Sequence, residues 1–368
     1  MTVASSSNHI VRVRIRLRPV HFGPMTLSLK PSVGRLLIAL IIMFACAGGE
    51  PARAVTAVRF TLDRPIDGAA APFVVAADKG LFATEGLNVT IDNANGSKDT
   101  IGRVAAGTSD IGLADLNVLI RLRDNEKTPP VKAVFVLFDT APYALIGRKS
   151  RGIENIARLE GKTIGLVDTD PSARLWPWLA KHNGIRFDKV KTEKISAAVR
   201  EPLLSAGQVD VVSGFSFLSA VNLRDRGVPA NDLAVLRFAD YGCEAYGYAL
   251  VVNPKFAAEN PAAVTAFIRA TIAGLRTSIK HPSRAIKSVM TEMNGGSDDL
   301  ELERLQTVLR DNILTENVKQ NGIGMVTAAR FDASVTAIAD DHKFRKPPVL
   351  SDIFDASYLP PENARQIN

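Results

Sequence analysis

Residues 72–115 read PFVVAADKGLFATEGLNVTIDNANGSKDTIGRVAAGTSDIGLAD, and this stretch constrains the fold more than any other. Two units of one kind follow each other: a helix, an apolar strand and a polar turn. Phe73, Val74, Ala77, Leu81 and Phe82 recur at helical spacing, with Gly80 and Gly86 punctuating the end. Leu87, Val89 and Ile91 then alternate with Asn88, Thr90 and Asp92, the pattern of a half-buried strand. A polar turn at 93–97 opens a second helix that turns Ile101, Val104 and Ala105 inward. Gly107 stops it, and a short strand at 111–114 ends at Asp115. Polar groups thus collect where strands end and helices begin, the place where open α/β sheets bind small ligands.

The same plan repeats further on. Strands are expected at 58–62, 131–138, 164–167, 190–195, 209–213 and 233–238. Helices are expected at 116–123, 171–182, 197–205, 215–226, 261–279, 282–293, 300–311 and 323–341. The string Ala206-Gly207-Gln208-Val209-Asp210 echoes Ala106-Gly107-Thr108-Ser109-Asp110, so two lobes read as variations on one unit. Extended pieces at 143–147 and 246–253 read as the two crossings between them. The fold class is therefore α/β, each lobe a mainly parallel sheet flanked by helices, with the crossings as a hinge. The segments are residues 55–142 (first lobe), 143–247 (second lobe), 248–345 (first lobe again) and a proline-rich tail at 346–368 along the surface.

The run Ala77, Gly80, Leu81, Phe82, Glu85, Gly86, Leu87, followed by Gly107, Asp110, Ile111, Gly112, Ala114 and Asp115, resembles the periplasmic substrate-binding proteins of ABC importers. The branch is the one that takes up sulfonates, nitrate and thiamin-precursor pyrimidines. The resemblance covers roughly residues 58–340. It implies a two-lobed type II periplasmic-binding fold that closes around a solute. It also implies ABC permease and ATPase subunits as partners, no cofactor, contact with the membrane only through the permease, and a monomer.

Charge agrees with a small-molecule partner. The chain of 368 residues carries a formal charge of +7, which invites a nucleic-acid reading. Residues 1–54 hold Arg12, Arg14, Arg16, Arg18, Lys30, Arg35 and Arg53 against Glu50 alone. Without them the 45 basic and 38 acidic residues become 38 and 37. The basicity belongs to the front of the chain, so no phosphate-tracking surface is implied. Residues 1–54 read as an export signal. Their apolar run at 36–47 is shorter than the roughly 20 residues of a membrane span and suits a signal core of about 7–15. Ala52-Arg53-Ala54 is a cleavage site, giving a periplasmic chain from Val55. Met43-Phe44-Ala45 is a poor lipoprotein box, so Cys46 is not expected to be lipidated. Cys243 is then the one cysteine left, which excludes a scaffold stapled by intrachain disulfides.

Catalytic motifs fail on inspection. Gly161-Lys162-Thr163 lacks the upstream glycine of a P-loop, where Ile156 stands. Gly322-Ile323-Gly324 lacks its third glycine, and the stretch from Gly214 lacks the last glycine of a nucleophile elbow. His182, His281 and His342 form no i,i+4 pair, so no metal site is expected. Fungal and plant members of the resembled family that make the thiamin pyrimidine carry a Cys and His cluster that this sequence lacks. Binding without catalysis is the expectation. A pyrimidine-like heterocycle is favoured over alkanesulfonate, taurine or nitrate; a thiamin-pyrimidine enzyme and an orphan ligand sensor are the further alternatives.

Loops at strand ends supply the candidate contacts: Asp67, then Asn95, Gly96 and Ser97, then Asp115 and Asn117, and Thr140 at the first crossing. Asp115 suits a helix N-cap and a ligand contact equally. In the second lobe the candidates are Asp170, Ser172, Trp176, Phe215 and Ser216. Tyr241, Glu244 and Tyr246 at the return crossing resemble the "DYG…Y" segment of members that bind flat heterocycles. There the tyrosines either stack on a ring or brace the hinge. No Arg or Lys on a strand end is assigned to the cleft, although Lys98 and Arg174 flank its loops.

Overall fold

A computed structural model describes residues 55–124 and 130–367; the export signal expected at residues 1–54 lies outside the described residues. The strands are β1 Thr56–Leu62, β2 Leu87–Asn93, β3 Ile111–Asp115, β4 Lys132–Val136, β5 Tyr143–Arg148, β6 Thr163–Leu166, β7 Lys191–Lys194, β8 Val211–Phe215, β9 Leu233–Arg237 and β10 Tyr248–Val252. They form two five-stranded sheets, ordered β2-β1-β3-β10-β4 and β7-β6-β8-β5-β9. The longer helices are α1 Ala71–Asp78, α2 Ser97–Ala106, α3 Leu116–Arg123, α4 Pro171–His182, α5 Arg200–Ala206, α6 Ser216–Asp225, α7 Pro261–Lys280, α8 Pro282–Thr291, α9 Asp298–Val308 and α10 Ala328–Ala339. No helix among the described residues is long and apolar enough to cross a membrane.

The two sheets share one plan. In each, three strands run parallel, and the fourth runs antiparallel to both of its neighbours. That fourth strand is β10 in the first sheet and β5 in the second. The expected crossings at 143–147 and 246–253 are therefore these internal strands. An apolar extended run is equally at home in a linker and in a buried strand, and hydrogen bonding on both edges decides for the strand. The crossings proper are the short pieces beside them, and they pair with each other. Phe138 N–H donates to the Tyr248 carbonyl at 3.0 Å, Gly247 N–H to Phe138 at 2.9 Å, and Ala141 N–H to Ala245 at 2.9 Å.

The repeated Gly-x-x-Asp string has a definite task. Gly107 and Gly207, at φ 71° and 76°, end α2 and α5 in the left-handed conformation that glycine adopts without strain. Three residues on, the Asp110 carboxylate accepts from Arg59 N–H at 2.8 Å, and Asp210 accepts from Thr163 N–H at 2.8 Å. Each aspartate also sends its own N–H back, Asp110 to the Arg59 carbonyl and Asp210 to the Thr163 carbonyl. The device locks β1 beside β3 and β6 beside β8.

Behind the first sheet, α7 lies on α1. Phe60 packs at a tilt against Phe73 at 4.7 Å and against Phe267 at 5.0 Å between ring centres. Ala77, expected inward, faces solvent, and Val75 and Ala76 are buried instead. The strand expected at 209–213 runs two residues later and takes in Phe215. The helix expected at 323–341 is broken: Glu316–Asn321 ends at Gly322, Gly324 bridges to Val136, and α10 starts only at Ala328. The tail is not confined to the surface, because Ile353, Phe354 and Ile367 are buried and Phe354 bridges to Ala133. Proline spacing signals an irregular path; it does not say whether that path is covered.

Candidate functional site

Strand ends from both sheets border one cleft of about 740 Å³, within the roughly 300–1,000 Å³ of small-molecule pockets. Asp63 arrives from the end of β1, and Asn95, Gly96 and Ser97 from the turn before α2. Asp168, Thr169 and Asp170 come from the turn before α4. Phe215 ends β8, Tyr248 begins β10, and Lys98, Arg121 and Arg174 also border the space. The Phe215 and Tyr248 rings meet edge to face, 6.2 Å between centres, one from each sheet.

Of the expected contacts, Asn95, Gly96, Ser97, Asp170 and Phe215 line this cleft. Ser97 is occupied with framing it: its hydroxyl donates to Asp63 at 3.1 Å and accepts from Asp115 N–H at 3.0 Å. Asp170 stands at the α4 N-cap position without capping it, because its carboxylate turns to the buried Arg200. Burial raises the Asp170 carboxyl, and the Arg200 charge opposes that rise.

The other candidates sit elsewhere. Asp115 is fully buried, and its N-cap reading holds: one oxygen accepts from Asn117 N–H at 2.8 Å and Val118 N–H at 3.2 Å. The other accepts from the Tyr143 hydroxyl at 2.6 Å, a bond between the two sheets. Asn117 donates to the Tyr246 carbonyl at 2.7 Å and is equally enclosed. Thr140 N–H donates to the Asn312 carbonyl at 3.1 Å, and the Asn312 side-chain amide donates to the Thr140 carbonyl at 3.0 Å. Ser172, Ser216 and Trp176 are buried in the second lobe, Trp176 beside Phe187.

Tyr241, Glu244 and Tyr246 do not border the cleft. Asn183 binds the Tyr241 carbonyl, Arg330 binds the Glu244 carbonyl and stacks on the Tyr246 ring at 3.8 Å, and the Tyr246 hydroxyl accepts from Thr327 N–H. These residues brace the crossings. Proximity to a hinge in sequence does not tell which side of it a ring faces.

Asp67 caps the turn at Gly68–Ala70, accepting from Ala69 N–H at 2.9 Å, and borders a niche of about 20 Å³ behind the cleft. Arg64 borders the same niche, and it is the strand-end cation that sequence reasoning did not assign. Its guanidinium donates to Asp63 at 3.0 and 3.2 Å and lies 4.7 Å from the Tyr248 ring centre. Burial works against its charge, but Asp63 and Asp67 outweigh that and leave its pKa raised. The signal in the sequence was the position, directly after an apolar strand. Cys243 is buried, which pushes its thiol up to about 11. Among the described residues no His, Cys, Asp and Glu cluster forms a metal site.

Two lobes of mixed sheet around a strand-end cleft define the periplasmic-binding-protein fold. A solved example is the periplasmic aliphatic sulphonate binding protein SsuA from Escherichia coli, with a TM-score of 0.64 at 12% identity, over 82% of this chain and 99% of that one. Residues 68–285 match the family described as NMT1/THI5 like, and the chain belongs to that family. Among its relatives is a riboflavin-binding protein, RibY, of Chloroflexus aurantiacus, 28% identical over 69% of this chain and 72% of RibY. Another is a 4-amino-5-hydroxymethyl-2-methylpyrimidine phosphate synthase of Candida albicans, 28% identical over 58% of this chain and 65% of that enzyme.

Proposed function

We propose that this chain is the solute receptor of an ABC import system, exported to the periplasm, where it captures a flat polar ring compound and delivers it to a membrane permease. The observation that carries the reading is the pair Phe215 and Tyr248, one ring from each sheet and in edge-to-face contact, at a cleft otherwise lined mainly by strand-end polar groups. Aromatic faces hold a planar ring, and a few hydrogen bonds orient it. The relative named for riboflavin binding supports the same class of ligand. Cys243 is buried with its thiol raised, and so offers no ready nucleophile to such a ligand.

Calorimetry on the chain from Val55 tests this with riboflavin, 4-amino-5-hydroxymethyl-2-methylpyrimidine and an alkanesulfonate. A ring compound is expected to bind, and Phe215→Ala to weaken it by roughly 1–3 kcal/mol, the scale of base-on-aromatic stacking. Tight binding of the sulfonate alone, unchanged by Phe215→Ala, overturns the reading. Export has its own check. Periplasmic material is expected to begin at Val55 on N-terminal sequencing, and a start upstream of Leu36 contradicts a cleaved signal.

A further inference from the structure

A niche that shares Asp63 and Tyr248 with the cleft is bordered by Arg64, which holds a buried hydrogen-bond donor with nothing to bind. Arg64 spends its Nε and Nη2 on Asp63, while its Nη1 is buried and has no acceptor among the described residues. A buried donor left unpaired is costly. The rings of Phe215, Phe217 and Tyr248 surround the guanidinium at 5.4, 5.2 and 4.7 Å from their centres, so it cannot swing away without breaking that packing. The niche beside it, about 20 Å³, shares Asp63 and Tyr248 with the cleft. That volume suits one water-sized group, which needs at least about 10–15 Å³.

We propose that this niche receives an exocyclic carbonyl oxygen of the ring ligand, bound by Arg64, and that Arg64 thereby selects rings with a carbonyl edge over rings with an amino edge. The proposal rests on the ring-binding reading of the cleft and names the edge that enters first. A guanidinium only donates. A carbonyl oxygen entering the niche completes its hydrogen bonds and replaces whatever water fills the space. An amino group in the same place offers a donor to a donor and leaves Nη1 unpaired, the situation in which polar sites discriminate most strongly.

The test compares lumichrome, a tricycle with two ring carbonyls, with phenazine, a tricycle of similar breadth with none, and with 4-amino-5-hydroxymethyl-2-methylpyrimidine. On the unaltered protein lumichrome is expected to bind at least tenfold more tightly than either. Arg64→Met is expected to lose at least tenfold on lumichrome and less than threefold on phenazine, with circular dichroism confirming that it folds. Equal affinity for lumichrome and phenazine, or a preference for the aminopyrimidine, overturns the role of Arg64 while leaving a ring-binding cleft in place. That comparison needs no variant. Failure of all three rings to bind removes the ring-binding reading and this inference together.

Discussion

Asp115→Ala is expected to destabilise the protein by roughly 2–4 kcal/mol in urea unfolding, without touching the cleft. The carboxylate caps α3 and takes the Tyr143 hydroxyl from the other sheet. Loss of a cap costs about 1 kcal/mol, and each buried group orphaned beside it about 1–3 kcal/mol more; the Tyr143 hydroxyl is one such group. The same residue carries a pH signature. Burial raises its carboxyl from 3.8 to about 6. Between those values the folded state keeps a proton that the unfolded state has released, so stability falls as pH rises from about 4 through 6. The full shift corresponds to at most about 3 kcal/mol. Asp115→Asn retains an acceptor for the cap and does not titrate, so its stability profile should be flatter by that amount across the window. A loss below 1 kcal/mol for the alanine variant, or unchanged slopes for the asparagine variant, contradicts this account.

Gly274→Val is the second large effect, expected at about 3 kcal/mol of lost stability. Where α7 crosses α1, a Cβ on Gly274 would overlap the backbone carbonyl of Pro72 and crowd Ala76. Backbone cannot rotate aside as a side chain can. Separating the helices would also open the Phe60, Phe73 and Phe267 cluster. Overpacking of this kind typically costs 1–3 kcal/mol, and sometimes more. Helix propensity alone predicts the opposite sign for Gly274→Ala, a gain of up to about 1 kcal/mol. A stabilised alanine variant in thermal unfolding would show that the helices have room to spare.

The fold was more legible in the sequence than the site. Alternation at Leu87, Val89 and Ile91, and the repeated Gly-x-x-Asp, are local signals tied to local geometry, and the structure places β2 and both sheet locks where they stand. The residues around the crossings were harder. Whether the run from Tyr143 is a crossing or an internal strand depends on partners at positions 211–215 and 233–237, far along the chain. Phe215 was legible because it closes an apolar strand. Arg64 was not, since an arginine after a strand reads as a solvated loop residue until three rings from distant segments close over it. Tyr241 and Tyr246 lie outside the cleft lining, tied to Asn183 and Thr327 at the crossings.

The pairing of the two crossings bears on how such a two-lobed fold can be altered. Every strand of the second sheet comes from one unbroken stretch, β5 through β9, inserted into the first lobe. Its entry and exit are side by side, joined by the Ala141 to Ala245 bond. The six cleft-lining residues of the second lobe, from Asp168 to Phe215, can therefore be exchanged as a single cassette, with two splice points side by side and the first sheet left whole. The reverse graft would require stitching separate segments of chain. Variation in what the cleft accepts has a short route through the second lobe and a long one through the first.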